Sequence, residues 1–211
     1  IGDVRDKDRL MRALDKVDFV VHAAATKIVP TAEYNPFECI KTNVIGGMNV
    51  IDACIDKGIK KIVALSTDKA SSPINLYGAS KLAADKLFVA GNSYAGEHGS
   101  RFAVVRYGNV FGSSGSVVPI FVEQIKEKQK ITITDPQMTR FSITMNEALD
   151  FIVDATKNAS GGEIFIPQLL KAYSVQDLKT ALERAYKGVN KIKFNGIMFR
   201  KDIGFRVLKK T

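Results

Sequence analysis

Three small groups of side chains carry chemistry if the fold gathers them. Tyr77 and Lys81 stand four residues apart in Tyr77-Gly78-Ala79-Ser80-Lys81. On a helix, residues four apart share a face. A lysine ammonium beside a phenol favours the phenolate, which would make Tyr77 a base near neutral pH. Ser66 and Thr67 place two hydroxyls ten residues before that tyrosine. Asp68 and Lys69 follow at once, an acid and a base side by side, which is the pair an elimination needs. A bare Asp-Lys step on a loop is ordinarily a surface ion pair. A tyrosine within the next ten residues turns the reading toward catalysis.

The elements around these residues alternate short apolar runs with longer amphipathic stretches. Phe19 to Ala25 reads as a buried strand that ends in a small-residue loop, His22-Ala23-Ala24-Ala25, where a ligand can approach the backbone. Residues 36–57 have helical periodicity, Lys61 to Ser66 is a second strand, 77–95 a second long helix, and Phe102 to Tyr107 a third strand. This alternation predicts a doubly wound α/β fold with a parallel sheet, and ligands at the carboxyl ends of its strands. Thr67-Asp68-Lys69 would lie at such an end. From residue 116 a smaller mixed lobe is expected. It would hold a helix over 117–128, a short strand at Ile131-Thr132-Ile133, a strand over 162–167, and two helices opened by capping boxes at Thr144 and Ser174. The expected division is 1–115, 116–186 and a basic tail over 187–211, with the chain free to cross back into the first domain.

Composition limits the partners. The chain is 45% hydrophobic and 25% charged, ordinary for a globular protein. Eight Lys/Arg against the single acid Asp202 after residue 186 account for +7 of the net +9, so the charge belongs to the tail and no nucleic-acid surface is expected. Cys39 and Cys54 sit among apolar neighbours without ligand spacing and read as buried thiols, with no metal site. No apolar run reaches the ~18 residues of a membrane span, and a reducing, cytoplasmic compartment is expected.

A strand-end hydroxyl, a loop, then Tyr and Lys on a helix resembles the short-chain dehydrogenase/reductase family. The resemblance implies that Tyr77 is the acid/base, that Lys81 meets the nicotinamide ribose, and that Thr67 supplies the hydroxyl beside the tyrosine. The stretches Leu65 to Ala70, Pro73 to Lys81, Glu33-Tyr34-Asn35-Pro36, Val105 to Val110, Gly115 to Pro119 and Met138-Thr139-Arg140-Phe141 are similar to the PseB-type inverting UDP-N-acetylglucosamine 4,6-dehydratases. The similarity covers roughly residues 1–185. It implies Lys69 as the C5 base and Asp68 as the acid for the departing 6-hydroxyl. It also implies cofactor contacts at Asp3, Val4, Ala24, Lys27, Asn43 and Ser66. Sugar-nucleotide contacts would fall on Lys27, Asn109, Val110, Ser114, Gly115, Ser116, Val117 and Arg140. NADP is expected in preference to NAD, the substrate is a UDP-sugar, and the protein is expected to be a homo-oligomer through its two long helices. A flagellin or surface-glycan sugar such as pseudaminic acid is the family's expected product line.

Two departures qualify the resemblance. The glycine-rich phosphate turn of a dinucleotide fold does not occur in the first thirty positions, so the fold is expected to lack its first strand, turn and helix. The basic tail does not resemble the family's C-terminal run. Residues 1–211 alone are therefore expected to bind NADP weakly and turn over little. Two alternatives stay open: a nucleotide-sugar 4-epimerase, which needs Tyr77 and Lys81 but not Asp68-Lys69, and an inactive fragment that only associates with intact protomers.

Overall fold

The computed structural model describes residues 2–97, 99–168 and 171–191. Two compact units divide them. One is built from residues 1–107 and 146–168, the other from 108–145 and the described residues after 168.

In the first unit, helix α1 (Lys7–Ala13) leads to strand β1 (Phe19–His22). Helices α2 (Val29–Tyr34) and α3 (Pro36–Ile40) follow, then one π-helical stretch (Lys41–Ile45) that runs on into α4 (Gly46–Asp56). Strand β2 (Lys61–Thr67) passes directly into a 3-10 turn (Asp68–Ala70), helix α5 (Leu76–Ala95) and strand β3 (Arg101–Tyr107). In the second unit are β4 (Asn109–Val110), α6 (Val117–Lys126) and β5 (Thr139–Ile143). Helix α7 (Met145–Asn158) and β6 (Ile164–Phe165) return to the first, and β7 (Lys171–Ser174) and α8 (Val175–Lys191) belong to the second.

The first unit holds a sheet in the order β1-β2-β3-β6, and its pairing is parallel, as the alternation of apolar runs and helices predicts. Strands β2 and β3 are in register from Lys61↔Arg101 to Thr67↔Tyr107, so Thr67 and Tyr107 share the carboxyl edge. Ile62, Val63, Phe102, Ala103, Val104 and Val105 are fully buried, which is why these strands read as unbroken apolar runs. One face carries Ile62, Ala64, Phe102 and Val104 against α4 and α5, with Val50, Cys54 and Phe88. The other carries Val63 and Val105 against Ile152 and Ala155 of α7. Strand β1 is one edge of the sheet, and its Phe19 and Val21 are 56% and 48% exposed.

The second unit has its own sheet, β4-β5-β7, and a core of Phe121, Ile131, Val175 and Leu178. The strand expected at 131–133 is not formed. Ile131 is instead a buried plug, and Thr132 is tied to Gln124 of α6 by side-chain bonds. The strand expected over 162–167 shrinks to Ile164–Phe165, because Gly161 and Gly162 take positive φ and their turn is held by Glu163. Helix α8 runs to Lys191, past the expected end near 185, and the rest of the basic tail lies outside the described residues.

Helix α5 is started by two side chains. Asn75 caps it by accepting the Gly78 amide at 2.8 Å, and Glu33 of α2 accepts the Leu76 amide at 2.7 Å. A carboxylate at a helix N-terminus also meets the positive end of the helix dipole. Gly78 is the point of closest approach. A Cβ there would fall inside contact distance of the Lys69 carbonyl oxygen and 3.0 Å from Pro73 Cβ. Gly78→Ala should therefore force α5 away from the Asp68–Ala70 turn and cost about 1–3 kcal/mol, read by urea denaturation.

His22 is 5% exposed, stacks on Phe88 at 5.4 Å, and titrates at about 4, chiefly through burial and secondarily through Lys81. A histidine held neutral in the fold binds fewer protons than in the unfolded chain. Its contribution is present above the unfolded value near 6.5 and is lost as pH falls toward 4. Stability should drop by roughly 3 kcal/mol over that window, and the fall should disappear in His22→Phe when folding free energy is measured against pH.

Candidate active site

Strand β2 and helix α5 deliver the expected residues to one place. Thr67, the last residue of β2, donates its hydroxyl to Asp68 Oδ1 at 2.9 Å and accepts the Lys69 amide at 3.3 Å. Lys69 Nζ lies 3.1 Å from the same Asp68 oxygen, with both side chains about one-third exposed. Tyr77, in the first turn of α5, lies close enough to Thr67 for that hydroxyl to draw the phenol pKa down against the effect of burial. Thr67 thus stands between the phenol and the carboxylate, and Asp68 between the hydroxyl and the amine. This is a contiguous line of acid and base groups, Tyr77–Thr67–Asp68–Lys69, along the carboxyl edge of a parallel sheet.

The expected link between Lys81 and the phenol is not what the structure shows. Lys81 is 4% exposed, and its ammonium donates to the Leu65 carbonyl at 2.6 Å. Tyr77 is held above the ordinary phenol value of 10, chiefly by burial, with Asp68, Tyr107 and Asp85 pushing the same way and the Thr67 hydroxyl opposing. The spacing of four does put both residues on one face. Burial and neighbouring carboxylates outweigh the lysine, so the resting phenol keeps its proton. Lys81 itself is pulled below its usual value by burial, against the opposing charge of Asp85.

The remaining expected residues fall into three groups. Ala24 is exposed in the loop after β1, where a ligand can reach the backbone, and Lys27 is exposed a few residues on. Asn43 is 1% exposed, inside the π-helical stretch. Its amide accepts the Thr26 N–H at 2.7 Å and donates to the Thr26 carbonyl at 3.0 Å and to Ser80 Oγ at 2.9 Å. It fastens the Ala23–Lys27 loop to α5 by imitating a strand partner. Ser66 is likewise turned inward, donating to Asp85 at 2.9 Å. Near the start of the chain, Asp3 chelates Arg5 and is drawn down to about 2 by that guanidinium, while the Val4 carbonyl accepts from Asn49 at 3.0 Å.

Within the second unit, Asn109 and Val110 form β4, and Ser114, Gly115, Ser116 and Val117 make the turn into α6. Gly112 and Gly115 of that turn both take φ of +73°. Ser116 Oγ is buried there without a hydrogen-bond partner. Arg140 is exposed on β5 and donates to the Thr139 carbonyl at 2.9 Å.

Asp85 and Arg106 were not singled out by motif. Asp85 is 2% exposed, and its Oδ2 receives both Ser66 Oγ and, at 2.7 Å, Arg106 Nε. The available signal was the spacing, since Tyr77, Lys81 and Asp85 repeat every four residues on α5.

The chain is 58% identical over 183 residues to a UDP-N-acetylglucosamine 4,6-dehydratase (inverting) from Campylobacter jejuni, covering 86% of this chain and 54% of that protein. It is 42% identical to a UDP-glucose 4-epimerase from Rickettsia akari over 93% of this chain and 57% of that one. The chain thus spans about half the length of the curated relatives it matches. Among solved structures, Pen from Bacillus thuringiensis superposes with a TM-score of 0.87 at 44% identity, covering 91% of this chain and 58% of that one. DesIV, a dTDP-glucose 4,6-dehydratase from Streptomyces venezuelae solved with NAD and TYD bound, superposes at 0.80 with 24% identity over 88% and 62%, a likeness of fold. The model of the polysaccharide biosynthesis protein family matches residues 1–207, and the chain belongs to that family.

Proposed function

We propose that this protein eliminates water from UDP-N-acetylglucosamine across C5 and C6, with transient oxidation at C4 and inversion at C5. The observation that carries the reading is the Asp68–Lys69 pair at 3.1 Å, joined through Thr67 to Tyr77. An epimerase needs an acid/base for the 4-hydroxyl alone. A second acid and base set beside it serve an elimination. Support comes from the 58% identical relative, which carries that activity in its name.

A nicotinamide dinucleotide suits the donor set. Leu65 takes one of the three Lys81 ammonium protons, leaving two for a vicinal diol such as the ribose. The exposed small residues Ala23 and Ala24 leave the adjoining backbone open. When bound in its oxidised form, the nicotinamide supplies a hydride acceptor and a positive charge. NADP is preferred over NAD by resemblance, as are sugar-nucleotide contacts at Asn109, Val110, Ser114 to Val117 and Arg140.

The side chains then divide the proton work. Tyr77, a phenol at rest, becomes a base for the 4-hydroxyl proton only with a positive charge nearby. The resulting 4-ketone acidifies C5. One proton moved along the 3.1 Å Lys69–Asp68 contact converts the ion pair into the amine and carboxylic acid that the elimination requires. Lys69 Nζ takes the C5 proton, Asp68 protonates the leaving 6-hydroxyl, and water departs. Return to C6 of the hydride removed from C4, with protonation of C5 from the opposite face, would then give the inverted 4-keto-6-deoxy sugar and leave the cofactor oxidised again.

Oligomerisation is part of the proposal. Phe37, Ile45 and Met48 near α4 and Tyr94 on α5 are 76%, 44%, 42% and 79% exposed, apolar side chains on the two long helical segments that a second copy could cover. Among the described residues no helix is long and apolar enough to cross a membrane. We place the protein in the cytoplasm, where sugar nucleotides are made and where two free, buried cysteines are at home.

The test is product analysis in heavy water. In a full-length protein that carries this chain, single-turnover NMR with UDP-N-acetylglucosamine and NADP should show a 4-keto-6-deoxy product deuterated at C5 with inverted configuration, and Lys69→Ala should lose both exchange and product. A 4-epimer with no 6-deoxy product would favour the epimerase, a reading that the 42% identical relative supports.

A further inference from the structure

Behind Thr67 and Tyr77 lies a second layer of charge that the proposed reaction does not use. Asp85 sits one helical turn past Lys81 and two past Tyr77, on the buried face of α5. Its Oδ2 is held by Ser66 Oγ at 2.9 Å and Arg106 Nε at 2.7 Å. Ser66 and Arg106 face each other across β2 and β3, immediately before the Thr67↔Tyr107 pair that ends both strands. Lys81 is tied to Leu65, the residue before Ser66. One carboxylate therefore bridges the helix that carries Tyr77 and Lys81 to the last hydrogen-bonded step of the two strands that carry Thr67 and Tyr107.

The groups facing Lys81 decide what this bridge does. From its own helix comes Asp85, which favours the ammonium. From β1 comes His22, neutral at physiological pH and therefore adding no repulsion. From β2 comes the Leu65 carbonyl, while Arg106 of β3 pairs with the same Asp85 carboxylate. An ammonium 4% exposed has no water to rely on, so its charge depends on this carboxylate. We infer that Asp85, held by Arg106 and Ser66, is a positioning residue that keeps buried Lys81 an ammonium and fixes the strand ends on which Thr67 stands. Its value to catalysis rests on the proposed function, because a charged Lys81 is what that reading uses to hold the cofactor ribose. The protonation itself can be tested without substrate or cofactor.

The measurement is folding stability against pH, by urea denaturation from pH 7 to 10, on the whole chain. A buried lysine that loses its proton on folding makes the unfolded state bind more protons, so stability rises with pH, by up to about tenfold in the folding constant per unit. Asp85→Asn should begin that rise at lower pH than wild type and climb more steeply between 7 and 9. Adding Lys81→Met should remove the difference, and Asp85→Glu should return the wild-type profile. A parallel profile in Asp85→Asn would overturn the inference by showing that the carboxylate has only a packing role. If Asp85→Asn alone does not fold, folding restored by Lys81→Met supports the inference and failure to restore it counts against it. Loss of product with the predicted pH behaviour intact would count against the dehydratase reading alone.

Discussion

The site depends on how closely helix α5 can approach the turn that leaves β2. Gly78 has no side chain where one would meet the Lys69 carbonyl oxygen, and this lets the first turn of α5 settle on Asp68–Ala70. Tyr77 is thereby brought onto Thr67, and Thr67 already holds Asp68. The start of α5 is fixed by Asn75 and by Glu33, a residue 43 positions earlier. The carboxylate of the Glu33-Tyr34-Asn35-Pro36 motif therefore acts structurally, by positioning the helix that carries the tyrosine.

Two asparagines solve a similar problem at opposite ends of that helix. Asn43 bonds both backbone groups of Thr26, and Asn92 bonds both backbone groups of Phe102. Each amide supplies one donor and one acceptor, as a neighbouring strand would. Asn43 holds the small-residue loop after β1, and Asn92 holds the entry to β3. Asn43 does so from a π-helical stretch, where one extra residue per turn rotates its side chain into the core. Buried polar groups are tolerated here because each is satisfied.

Much of the fold was legible because parallel strands buried on both faces must be apolar runs, and the long helices between them must be amphipathic. The parallel sheet and the 77–95 helix follow from that pattern, and the two later helices from their capping boxes. Short elements of the second unit were harder, since Ile131 can be buried by a loop as well as by a strand. Thr67, Asp68, Lys69 and Tyr77 were legible because they are close in sequence at a strand end. The state of Tyr77 was not. Spacing places Lys81 on the right face, but spacing does not show that its ammonium is taken by Leu65 or that burial dominates the phenol. Asp85 and Arg106 were hidden for the same reason, because their partnership crosses from a helix to a strand.

The central claim is that Tyr77, Thr67 and Asp68 form one acid/base cluster in which the phenol rests protonated. An ultraviolet tyrosinate titration of the protein, with the Tyr77→Phe titration subtracted, isolates this phenol. The account predicts a midpoint above the ordinary value of 10 and a downward shift in Asp68→Asn, because Asp68 pushes the phenol up. A midpoint at or below 10 that Asp68→Asn leaves unmoved would contradict it.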